Sequence, residues 1–159
     1  MTTRRQFLQT GLTGSLLLGV AGCTRPSAGN GRRAVIAAIA PVMLGLALPA
    51  SNRDAALTRT VDAVETAIDG LSLPAQQEIG ELFDLLAFAP TRILAAGVWA
   101  DWPAASAADI GEFLESWRHS RFDLLKSGYA ALHDLFFSAW YAAPENWPGI
   151  GYPGPPEVK

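Results

Sequence analysis

His119, His133 and Cys23 are the side chains of this sequence best suited to chemistry near neutral pH. An imidazole works as a general base when a carboxylate orients it beside a nucleophile, and it ligates zinc when three or four donors converge. His119 follows Glu115 by four residues, and His133 directly precedes Asp134, whose side chain points about 100° further round a helix. These are the spacings of helix-surface pairs. Two histidines in a body without cysteine are too few for a zinc site. Gly149-Ile150-Gly151 and the Gly11 to Gly14 stretch lack the strand-to-helix setting of a phosphate cradle. No Gly-x-Ser-x-Gly elbow and no Cys-x-x-Cys-His occurs. Glu78, Glu81, Glu112 and Glu115 recur at helical spacing and read as solvated faces. The chain is read as non-catalytic, with no cofactor or metal of its own; a small enzyme using His119 or His133 is the minor alternative.

Cys23 is different, because the residues before it define what can happen to its thiol. Thr3-Arg4-Arg5-Gln6-Phe7-Leu8 sets two arginines ahead of an uncharged, mildly apolar run from Phe7 to Gly22. A charged start followed by a modest apolar stretch is the plan of an export signal. The twin arginine with Phe7 and Leu8 resembles the consensus of twin-arginine (Tat) signals, departing from it at Gln9, where lysine is commoner. That resemblance implies a transporter that moves proteins already folded. Val20-Ala21-Gly22-Cys23 resembles a lipobox, in which Cys23 is acylated and becomes the mature N-terminus. An ordinary membrane anchor with an incidental cysteine is the plainer alternative.

Composition sets the remaining bounds. Removing the leader from a chain of 159 leaves enough for one small domain with a core. The formal charge is −3, and loss of Arg4 and Arg5 makes the mature chain more acidic; the one basic pair in the body is Arg32-Arg33. Nucleic acid is excluded as a partner on that ground. Charged residues are 17% of the chain, against ~25% in an average globular protein, so its polar surface is scant. That favours a domain partly covered by something else.

The elements that must position any functional residue follow from periodicity. Residues 24–33 are rich in Gly, Pro and Ser and read as a flexible tether. Ala34 to Pro49 carries no charge and is too short for a ~30 Å bilayer core, so a buried helix is expected, with a membrane-dipping segment as the alternative. Leu57, Val61, Val64, Ile68 and Leu71 step along one face of a helix from Asn52 to Ile68 that stops at Gly70. Ser72 and Pro74 open the next, which runs towards Pro90 through Ile79, Leu82, Phe83 and Leu86. Thr91 to Ala100 reads as a short, weak helical piece. Ser106-Ala107-Ala108-Asp109 has the form of a capping box and leads a helix facing inward through Ile110, Phe113, Leu114 and Trp117. The longest helix follows Ser120, with Phe122, Leu125, Tyr129, Leu132, Phe136 and Trp140 as its stripe. Nothing alternates with period two, so the expected fold is all-α: a compact bundle of about five or six helices over residues 34–143.

Residues 144–159 form a separate region. Prolines at 144, 148, 153, 155 and 156 and glycines at 149, 151 and 154 predict an extended tail carrying Trp147, Ile150 and Tyr152. Fixed prolines and large aromatic residues suit a recognition strand. Trp140, Tyr141, Trp147, Ile150, Tyr152, Pro153, Gly154, Pro155 and Pro156 are the candidate partner contacts; the alternative is a tail that caps its own core.

Several of these features together resemble one family. They are the twin-arginine leader, Met43-Leu44 in an apolar helix, Leu71-x-Leu73-Pro74, Trp117 with Ser120, and Trp147 to Pro156 (WPGIGYPGPP). The chain is similar in these respects to the small subunits of heteromeric flavin dehydrogenases, such as gluconate 2-dehydrogenase and FAD-dependent glucose and sorbitol dehydrogenases. The resemblance implies a catalytic partner of the glucose-methanol-choline oxidoreductase type that carries FAD and lacks its own signal. The small subunit binds it, assists its assembly and takes it through the Tat translocase to the periplasm, sometimes alongside a cytochrome c subunit. The family does not always carry a lipid, so attachment to a membrane through Cys23 rests on the local motif. A stand-alone envelope lipoprotein is the competing expectation.

Overall fold

The computed structural model describes residues 28–155, and all regular structure among them is helical. Five long helices make the bundle: α1 (Ala28–Leu44), α2 (Arg53–Asp69), α3 (Leu73–Ala87), α4 (Ala107–Arg118) and α5 (Asp123–Tyr141). Helix α1, uncharged from Ala34 onward, lies at the centre and touches the other four. Its Val35, Ile36, Ile39 and Ala40 are wholly buried, so the chain's own helices cover one face of the uncharged stretch, while Leu46 is exposed. No helix among the described residues is long and apolar enough to cross a membrane. Pro41 withdraws one donor from α1, which nevertheless continues to Leu44 and tightens into a 3-10 turn at Gly45–Ala47, with Gly45 at φ +50°.

Helix α1 starts at Ala28, six residues inside the expected tether. The cause lies on α2. Arg32 grips Glu65 with two guanidinium nitrogens, Nε at 3.1 Å from Oε1, and Arg33 reaches Asp62 at 2.8 Å. Asp62 and Glu65 stand three apart on one face of α2, so consecutive arginines meet both. Partly exposed pairs of this kind contribute roughly 0–1 kcal/mol each and chiefly fix register.

The caps and stops fall close to where local chemistry places them. Gly70 ends α2, its N–H donating to the Thr66 carbonyl at 3.1 Å. Ser106 and Asp109 form the reciprocal box, Ser106 Oγ accepting from the Asp109 N–H at 3.1 Å. Helix α3 closes at Ala87, three residues short of Pro90. The weak piece after it becomes a π-helical turn at Arg92–Ala96, ended by Gly97 in the left-handed region. The expected α5 stripe starts late: Phe122 precedes the helix and is exposed, while Leu132, Leu135, Phe136, Ala139 and Trp140 are buried.

The core's aromatic corner explains one glycine. Trp117 packs edge-on against Phe113 at 4.9 Å and donates through Nε1 to the Ala95 carbonyl at 2.7 Å, so its ring is fixed from two sides. A Cβ at Gly128 of α5 would lie 2.6 Å from Trp117 Cζ3. Alanine gains ~1 kcal/mol over glycine inside a helix, but overpacking costs ~1–3 kcal/mol. Gly128→Ala is therefore expected to lower stability by up to roughly 2 kcal/mol, measured as a fall in the urea midpoint at unchanged m-value.

Candidate docking surface

Four residues at steps of four line one side of α5, away from its buried stripe. Tyr129, His133, Phe137 and Tyr141 follow one another with ring centroids 6.0, 4.5 and 5.9 Å apart. The spacing repeats slightly more than one helical turn, which stacks side chains into a ladder. Phe137 rests on the small cluster of Leu44, Leu48, Ala56 and Trp140, next to the turn where Leu46 is fully exposed. Arg118 places its guanidinium 6.0 Å from the Tyr129 ring at the other end.

The ladder continues into the tail. Trp147 Nε1 donates to the Tyr141 carbonyl at 2.8 Å, and its ring meets Tyr152 edge-on at 5.3 Å. Asn146 Nδ2 donates to the Trp140 carbonyl at 2.7 Å and holds the tail's start against the end of α5. The tail is not extended throughout. Pro144–Asn146 and Pro148–Ile150 are 3-10 turns, because proline at a first helical position loses only an N–H that has no intrahelical partner. Gly151 at φ +72° turns the chain so that Tyr152 donates its N–H to the Trp147 carbonyl at 3.1 Å. Gly154, at φ +101°, passes so close to the Trp147 ring that a Cβ would sit 3.2 Å from Cζ3.

The candidate contacts thus divide. Tyr141, Ile150, Tyr152, Pro153 and Pro155 are exposed, and Trp147 and Gly154 are half-buried against each other. Trp140 is a correction: it is 4% exposed and belongs to the interior, since it shares the inward stripe of Phe136 while Tyr141 is turned outward. Tyr129, His133 and Phe137 were absent from the sequence-based set, although their constant four-residue spacing up to Tyr141 was the available signal. Arg4, Arg5, Phe7, Leu8, Cys23 and Pro156 lie outside the described residues.

Each histidine stands beside one carboxylate close to it in sequence. His119 Nε2 sits 3.1 Å from Glu115 Oε2 and is 71% exposed; His133 Nδ1 sits 3.2 Å from Asp134 Oδ1 and is shared with the aromatic ladder. No group of three potential metal ligands converges among the described residues. The surface offers apolar and aromatic contact, which is the chemistry of recognition.

A second exposed feature depends on a buried arginine. Arg92, 5% exposed, donates Nε to the Val98 carbonyl at 3.1 Å and Nη2 to the Trp99 carbonyl at 3.3 Å, and pairs Nη1 with Asp101 at 3.0 Å. This grip replaces regular structure between Gly97 and Asp101 and holds Trp99 at 78% exposure, with Leu94 of the preceding turn at 86%. Comparison of the chain with protein-family models, with curated proteins and with solved structures gave no match.

Proposed function

We propose that this chain is a non-catalytic accessory subunit that binds the FAD-carrying catalytic subunit of a glucose-methanol-choline type oxidoreductase, assists its assembly and carries it through the Tat pathway to the periplasm. Arg4 and Arg5 are the transport signal, Cys23 is the lipid anchor, and FAD resides in the partner. The observation that carries the reading is the aromatic ladder of α5 continuing into a tail that keeps Ile150 and Tyr152 in water. A chain whose sequence supplies a leader for folded cargo, and whose body displays aromatic side chains beside a pre-shaped tail, is equipped to hold another protein. A cytochrome c subunit is a further component that the resemblance allows.

Removing Pro148 to Lys159 tests the reading. The deletion takes away Ile150 and Tyr152 and the backbone that packs on Trp147, but none of the buried core. The expected result is a bundle with unchanged helical circular dichroism that no longer retains the co-expressed flavoprotein on an affinity column. Retention at wild-type yield would instead favour a stand-alone envelope lipoprotein, whose tail serves only its own α5.

A further inference from the structure

A groove of about 410 Å³ runs between α3 and the first half of α5, on helix faces that the ladder and the tail do not use. Ile79, Leu82 and Leu85 form one wall, Leu124 and Leu125 the other, and the Trp117 ring lies at its base. Leu124 is 81% exposed, so this wall is apolar surface left in water. The rim on the α3 side is acidic. Helix α3 carries Glu78, Glu81 and Asp84 and no lysine or arginine, and every ion pair among the described residues lies elsewhere. The one lysine or arginine on α5, Lys126, is engaged by Asp123 at 2.7 Å.

The walls specify the occupant. Both are helices, whose backbone groups are satisfied internally, so the groove has no sheet edge to which a strand could add. A helix satisfies its own backbone and can lay an apolar face into a groove of this kind. Apolar side chains at i, i+3 or i+4 and i+7 fill the floor, and lysine or arginine along one border meets Glu78 and Glu81. Another copy of this chain does not fit: none of its described helices pairs an exposed apolar stripe with a row of unpaired cations.

We infer that the α3–α5 groove receives a basic amphipathic helix of the catalytic partner, a second contact on the side of the bundle away from the tail. The inference rests on the accessory-subunit reading and adds the chemistry of the segment bound. The contact is salt-sensitive, because its specificity comes from exposed carboxylates.

The probe is a fluorescein-labelled peptide of about 16 residues, leucine on one helical face and lysine along its borders, titrated against the full chain at low salt by anisotropy. Saturable binding is expected, about tenfold weaker for Glu78→Lys/Glu81→Lys, for a peptide with glutamate borders, and for Leu124→Asp. All three substituted positions are exposed, so the variants keep the parent melting temperature. In the co-expressed complex the double variant lowers the salt concentration at which the flavoprotein is released. Absence of saturable peptide binding, equal binding of the glutamate peptide, or an unchanged release profile would overturn the groove while leaving the tail-borne complex standing. A self-dimer dispersed by the same double variant would also overturn it. Failure of the wild-type chain to hold any flavoprotein would remove the accessory reading itself, a result separate from the peptide titration.

Discussion

Replacing both Arg4 and Arg5 by lysine is expected to stop the proposed export. The pair keeps its charge in this variant but loses the planar guanidinium forks, and a site that reads bidentate hydrogen bonds distinguishes the two side chains. The substitutions change no residue of the described bundle, so its melting temperature is expected to stay at the parent value. The chain and its flavoprotein should then accumulate together in the cytoplasm, folded and loaded with FAD, with the periplasmic fraction at background. Cell fractionation with flavin fluorescence reads both quantities at once. Delivery at wild-type yield would refute the transport role given to the leader. Because the partner has no signal in this scheme, its mislocalisation is the more telling half of the result.

A comparably large loss is expected inside the bundle. Ile39 is wholly buried on α1, the helix that touches all the others. Ile39→Asp places a carboxylate there without a counter-ion, at a cost of several kcal/mol that is comparable to the ~5–15 kcal/mol stability of a whole domain. The variant should lose cooperative thermal unfolding and most near-ultraviolet dichroism. Ile39→Val, which removes one methylene, costs only ~0.5–1.5 kcal/mol and should fold. Ala37→Asp gives the contrast in the same helix, since Ala37 is exposed and its new charge stays hydrated. A transporter restricted to folded cargo extends the comparison to function: Ile39→Asp should remain in the cytoplasm behind an intact leader, whereas Ile39→Val and Ala37→Asp are exported. Equal delivery of all three would separate the leader from any requirement for a folded body.

Most helix positions needed only short-range information, the early start of α1 opposite Asp62 and Glu65 being the exception. Gly70, the Ser106 and Asp109 box, and the absence of charge from Ala34 to Pro49 each act within a turn or two of chain, and the helices start, stop and bury themselves close to where those residues indicate. Three- and four-residue steps also identified Val61, Val64 and Ile68 as core, because a helix carries its own periodicity into any environment. The proposed docking face was only half legible. Tyr141, Ile150 and Tyr152 stand exposed, but Trp140 does not, since adjacent residues on a helix point about 100° apart and only the packed neighbours decide which of two aromatics is inside.

What tertiary structure alone decided involves partners far along the chain. Arg32 finds Glu65 across 33 residues, Trp117 finds the Ala95 carbonyl across 22, and Trp102 donates to the Leu86 carbonyl across 16. None of these pairings leaves a periodic trace, because a single hydrogen bond or ion pair constrains two positions and no pattern between them. The same holds for the grip of Arg92 on the Trp99 loop and for the groove between α3 and α5, whose walls are unrelated in sequence. The sequence determined that the body would be helical; packing determined which of its aromatic and acidic side chains were left facing water.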